Sequence, residues 1–154
     1  MTTNDAAHRT LLLEGTAGHL LLRVLAREDA DPADRYWDAN WLATDVDVRE
    51  RGFSARLQAS LKAEELTDLL VELRRLASGE ATVARLRSIE GWLALDLTEE
   101  DDGVTVAGVA REPADPATEL RFEIRGVQRA DVTEIGDRLA RILAGYPILG
   151  RRGQ

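Results

Sequence analysis

The chain has 154 residues, 44% of them hydrophobic and 31% charged, the proportions of a water-soluble globular protein about one domain long. Its 28 acidic and 20 basic side chains leave a formal charge of −8 and a pI near 4.8, which disfavours nucleic acid and anionic membrane as partners and favours a basic one. With no cysteine and two histidines, His8 and His19, the chain excludes disulfides, cysteine-ligated zinc and a three-histidine metal site, and leaves a serine triad poorly supplied.

Lys62 is the single lysine against nineteen arginines, a codon bias of the kind GC-rich bacterial genomes produce. No apolar run approaches the roughly 18 residues of a membrane span, and the first ten residues lack the apolar core of a signal peptide. These patterns predict a cytoplasmic protein with no membrane contact.

Residues 1–10 read as a flexible tail. Leu11 to Leu13 and His19 to Arg27 read as two strands around the turn Gly15-Thr16-Ala17-Gly18. Residues 27–35, REDADPADR, form an acidic loop leading into YWDANWL at 36–42. Leu42, Thr44, Val46 and Val48 then alternate with Ala43, Asp45, Asp47 and Arg49, the period of a half-buried strand. Arg51-Gly52 is a turn, and Phe53, Ala55, Leu57 and Ala59 continue the alternation in a partner strand.

The period changes to that of a helix where Leu66, Leu69, Leu70, Leu73 and Leu76 share one stripe. Glu64 and Glu65 fall in its first turn and Gly79 past its end. Strand signals return at Glu80 to Ser88 and at Trp92 to Thr98. EEDDG at 99–103 carries the Asp-Gly of a hairpin turn into Val104 to Arg111. Pro113 and Pro116 bracket a loop, and Leu120, Phe122 and Ile124 give the cleanest alternation in the chain. A second helix begins near Asp131, where Asp131-x-x-Glu134 has the form of a capping box, and Gly145-Tyr146-Pro147 stops it.

Eight strands in two groups of four, each group followed by a helix, predict an α+β domain over residues 11–150. The expected architecture is a curved antiparallel sheet with two amphipathic helices on one face. Two meanders each followed by a helix also permit an internal duplication. Residues 151–154 form a second tail.

Chemistry-bearing motifs are few. There is no Walker sequence, and Gly15-x-x-Gly18 is too short a glycine pattern for phosphate binding. Asp29, Asp31, Asp34 and Asp38 lack the spacing and terminal glutamate of an EF-hand, so no metal, cofactor or catalytic residue is assigned. The compact polar-aromatic cluster is YWDANWL. In an extended segment Trp37 and Trp41 share one side, and Asp38 and Asn40 point the other way with Tyr36 and Leu42. Tryptophans there can pin the start of a strand to the core while Asp38 and Asn40 hydrogen-bond a turn. The same residues with an acidic rim can anchor an interface, which makes Asp34, Tyr36, Trp37, Asp38, Asn40 and Trp41 the candidate partner-binding set.

YWDANWL followed by a strand, a Gly-Phe turn and a further strand resembles the D-Y-W-D-G-N-W-L segment of the WapI-like immunity proteins. The likeness continues through the leucine-rich helix, the Gly79-Glu80-Ala81 strand start and the closing helix ending in Tyr146-Pro147. Ala39 stands where that family has glycine, and Arg35 where an acidic residue is common. The resemblance implies a non-enzymatic protein that binds and neutralises a toxin domain, a basic one on the charge argument. Two alternatives stand beside it: a small-ligand or carboxylate site around Asp34, Asp38 and Asn40, and a module that self-associates through a strand edge. The oligomeric state is left open.

Overall fold

The structure is a computed structural model that describes residues 9–28 and 39–149. Among the described residues, eight strands and two helices follow one another as β1 (Thr10–Glu14), β2 (Gly18–Arg27), β3 (Trp41–Glu50), β4 (Phe53–Lys62), α1 (Ala63–Ser78), β5 (Val83–Arg87), β6 (Leu93–Glu100), β7 (Gly103–Glu112), β8 (Asp115–Val127) and α2 (Arg129–Gly145). All pairings are antiparallel between chain neighbours, as short turns require. The α+β class is as the sequence predicts. The eight strands, however, divide into two four-stranded sheets, β1-β2-β3-β4 and β5-β6-β7-β8, instead of one continuous curved sheet.

Alternation fixes which face each strand buries. On β3, Leu42, Thr44, Val46 and Val48 are enclosed while Ala43, Asp45 and Asp47 lie half-exposed on the other face. On β8, Phe122 and Ile124 point inward between exposed Arg121, Glu123 and Arg125. One core runs through both sheets and both helices. Each fully enclosed leucine in it contributes roughly 2 kcal/mol.

The two halves repeat each other closely. In both, the fourth strand runs almost directly into a helix through a residue in extended conformation, Lys62 (φ −80, ψ 144) and Gln128 (φ −69, ψ 136). Counted from those residues, the buried large side chains fall at the same four offsets: Leu66, Leu69, Leu73 and Leu76 in α1, Val132, Ile135, Leu139 and Ile142 in α2. The helices pack on one another. Each also packs on the first strand of the other half, α1 on β5 and α2 on β1.

The sheets meet where the β1–β2 turn docks on β8. The Thr16 amide donates to the Arg125 carbonyl at 2.9 Å. A Cβ on Gly15 would sit 2.2 Å from that carbonyl oxygen, so the glycine is required by close approach. Gly126, at φ +76, forms the other side of the joint against Thr16.

Three local expectations are corrected. α2 begins at Arg129, so Asp131 lies inside its first turn and does not cap it. The strand expected from Glu80 starts at Val83, because Gly79 is left-handed (φ 82) and ends α1 with a turn of its own. The Pro113–Pro116 loop shrinks to a two-residue turn: β8 starts at Asp115, and Pro116 is tolerated because β8 is an edge strand. Asp101 and Asp102 make the EEDDG turn, with Gly103 (φ 135) already opening β7.

Candidate protein-interaction site

The candidate segment leads into β3 at the end of the molecule where α1 also begins. Asp34, Tyr36, Trp37 and Asp38 lie outside the described residues, as do the acidic positions Asp29 and Asp31. Asn40 and Trp41 lie within them.

Asn40 is wholly enclosed, and every hydrogen-bonding position of its side-chain amide is used. Its Oδ1 accepts from the Leu149 N–H at 2.8 Å and from the Arg27 guanidinium at 3.2 Å. Its Nδ2 donates to Glu64 Oε1 at 3.0 Å and to the Leu149 carbonyl at 3.1 Å. Its own carbonyl accepts from the Ala63 N–H, the first amide of α1, at 2.9 Å. Arg27 reinforces the knot by donating to the Ala39 and Pro147 carbonyls, both at 2.7 Å. One buried amide thus ties together the end of β2, the start of β3, the N-terminus of α1 and the segment after α2. Ala39, buried beside it, does not have positive φ: among the described residues Arg51 (φ 52) is the one non-glycine that does. Alanine in place of the family's glycine therefore costs the backbone nothing here.

Trp41 begins the alternation on the other side. Leu42 points into the core, so the Trp41 indole lies half-buried on the outer face of the first sheet. It faces its register partner Lys62, whose ammonium sits 5.0 Å from the ring centroid, a cation–π distance. Beside Lys62, Glu65 accepts from two main-chain amides at once, Lys62 at 2.8 Å and Ile89 at 2.5 Å. Burial raises the Glu65 carboxyl above the usual carboxylate range, and those two amides pull it partly back. Ile89, in the turn so held, is 70% exposed. Ser60, one strand residue from Leu61, donates to Glu28 and offers its carbonyl to the indole N–H of buried Trp92 at 2.8 Å. The result is a braced end presenting Trp41 and Ile89 among Glu28, Lys62, Glu65 and Glu90. Its chemistry is that of an aromatic and aliphatic contact surface with a mainly acidic rim.

Sequence reasoning singled out Asn40 and Trp41 but not Arg27, Glu64, Glu65, Ile89 or Leu149. Glu64 and Glu65 were legible as first-turn acids; the others carry no local signal, because their roles arise from partners far along the chain. At the opposite end a cleft of about 480 Å³ is lined by Thr16, Gly18, Glu50, Arg51, Glu123 and Arg125. Its carboxylates serve internally: Glu50 accepts from the Glu123 N–H and Glu123 pairs with Arg125. Among the described residues no cluster of side chains is suited to hold a metal ion, and no helix is long and apolar enough to cross a membrane.

Comparison with curated proteins finds no match. Comparison with protein families matches residues 11–147 to the Immunity protein WapI-like family. That span runs from the first strand, through the Asn40 knot and both sheets, to just beyond the second helix. The chain belongs to the Immunity protein WapI-like family.

Proposed function

We propose that the chain is a non-enzymatic immunity protein that binds a cognate toxin domain and neutralises it by occluding the toxin's working surface. Membership of an immunity-protein family over residues 11–147 is the observation that carries this reading. The contact is assigned to the set Asp34, Tyr36, Trp37, Asp38, Asn40 and Trp41, of which the described members, Asn40 and Trp41, lie at the start of β3. Within it Trp41 makes contact, and Asn40 acts by bracing the segment, since its amide is already fully engaged. The formal charge of −8 supports a basic partner reached by electrostatic steering from a cytoplasmic location.

The test is co-expression with candidate toxin domains, beginning with any encoded beside this chain's gene, followed by titration of the purified pair. Co-expression should restore growth, and the association rate should fall as salt rises. Trp41→Ala should weaken binding at least about tenfold, the scale of one interface anchor, without lowering the melting temperature by more than about 2 °C. No rescue of growth would sink the toxin-neutralising reading. Rescue with an unaltered Trp41→Ala affinity would move the contact elsewhere.

A further inference from the structure

Residues 147–149 cross the Asn40 knot outside any helix or strand, and the knot grips their main chain. Three bonds hold them: Arg27 donates to the Pro147 carbonyl, Leu149 N–H donates to Asn40 Oδ1, and Asn40 Nδ2 donates to the Leu149 carbonyl. The last two make a reciprocal pair in which one side-chain amide matches both the N–H and the C=O of a single residue. That is the pairing a neighbouring strand would offer, supplied here by a side chain. None of the three bonds reads a side chain. Ile148 lies 38% exposed, so the segment is not sunk into the core as a hydrophobic plug.

Without the segment, the Asn40 amide would lose one donor and one acceptor partner, and Arg27, on the exposed side of the slot, would lose a carbonyl. A replacement that fits the slot is one that offers the same main-chain bonds. An extended polypeptide does so; a folded helix, whose amides and carbonyls are bonded internally, does not.

We infer that the Arg27–Asn40 slot is a binding site for the main chain of an extended peptide, filled in cis by residues 147–149, and that an extended segment of the protein partner takes their place. The inference rests on the partner-binding reading for its biology, but its chemistry can be tested without the partner. The resident segment sets the ligand's character: a stretch free of helix whose main-chain N–H and C=O are open to pairing. The slot adjoins Trp41, the next residue in sequence and the first of β3. The advantage of the cis segment is its tether, which gives it a high effective concentration; a trans segment wins by adding contacts beyond the slot.

The probe is a fluorescein-labelled synthetic peptide spanning Tyr146 to Gln154, added to the full-length chain carrying Leu149→Pro. That substitution removes the resident N–H and so weakens the cis segment. Circular dichroism melts establish that the variant is folded. Fluorescence polarisation should show saturable binding. Binding should weaken about tenfold when the peptide's own Leu149 nitrogen is methylated, the loss expected for one hydrogen bond to an enclosed partner. It should disappear when Asn40→Leu is added. Absence of binding, or equal binding of the methylated peptide, would overturn the inference. If the double variant fails to fold, hydrogen exchange on the unmodified chain decides: saturating peptide should speed exchange of the chain's own Leu149 amide, and unchanged exchange overturns the proposal. Either result leaves growth rescue by the immunity protein to be judged separately.

Discussion

Glu65 is a single carboxylate placed between a helix start and a turn, and its two amide bonds differ in kind from an ion pair. They hold the charge in a half-buried place where solvation is poor, and desolvation outweighs them in raising its proton affinity. The folded chain therefore binds this proton more tightly than the unfolded chain does. Its contribution to stability is greatest on the acid side and declines as pH rises from the usual carboxylate value through the raised one. Glu119 works with the opposite sign: Arg111, then Arg121, holds its carboxyl below the usual range, so its contribution is lost as pH falls. Glu65→Gln should accordingly remove the declining component. Urea midpoints measured from pH 4 to 7 should show the wild type losing ground to the variant as pH rises, and a flat difference would refute the assignment.

At the scale of the element, the two helices offer an internal control on capping. α1 and α2 share their stripe and their extended lead-in residue, yet the third residue of α1 is Glu65, which reaches back to the Lys62 N–H, while that of α2 is Asp131. The aspartate is one methylene shorter, and Gln128 ahead of α2 supplies no side-chain cap. Asp131→Glu should let the carboxylate reach the Gln128 N–H. The expected gain is about 0.5–1 kcal/mol, or roughly 2–3 °C in melting temperature by calorimetry. No rise would show that the equivalence of the two helix starts stops at the backbone.

The helices and strands were legible for the reason that makes them stable: the leucine stripe of α1 and the alternation at Leu120, Phe122 and Ile124 are one-dimensional signals of one buried face. Asp131 misled because the capping pattern matched three residues into a helix whose true N-cap, Gln128, lacks a capping side-chain bond. In the candidate site, the sequence pointed to Asn40 and Trp41 by composition. It could not reveal that the Asn40 partners are Arg27, Glu64 and Leu149, since two of its bonds close across 109 residues.

At the scale of the whole molecule, the division into two sheets was hidden for the same reason. The two sheets meet at the joint between the β1–β2 turn and β8, formed by residues more than a hundred positions apart. Gly15-x-x-Gly18, which fails as a phosphate loop, belongs to that joint. Gly126→Ala tests its worth: the added Cβ would lie 2.3 Å from Thr16 Oγ1, on a backbone at φ +76. A loss of about 1–3 kcal/mol is expected, from left-handed strain and from displacing the docked turn. A near-neutral change in denaturant midpoint would mean that the turn is not fastened there.

The exchange of helices between the halves has a consequence for how the molecule comes into being. β1, the first strand of the fold, is packed by α2, its last helix. A growing chain can pair β1 with β2 early, but that sheet margin stays bare until the closing helix emerges. Each half depends on the other's helix for part of its cover, so the finished protein should come apart as one cooperative unit and not half by half.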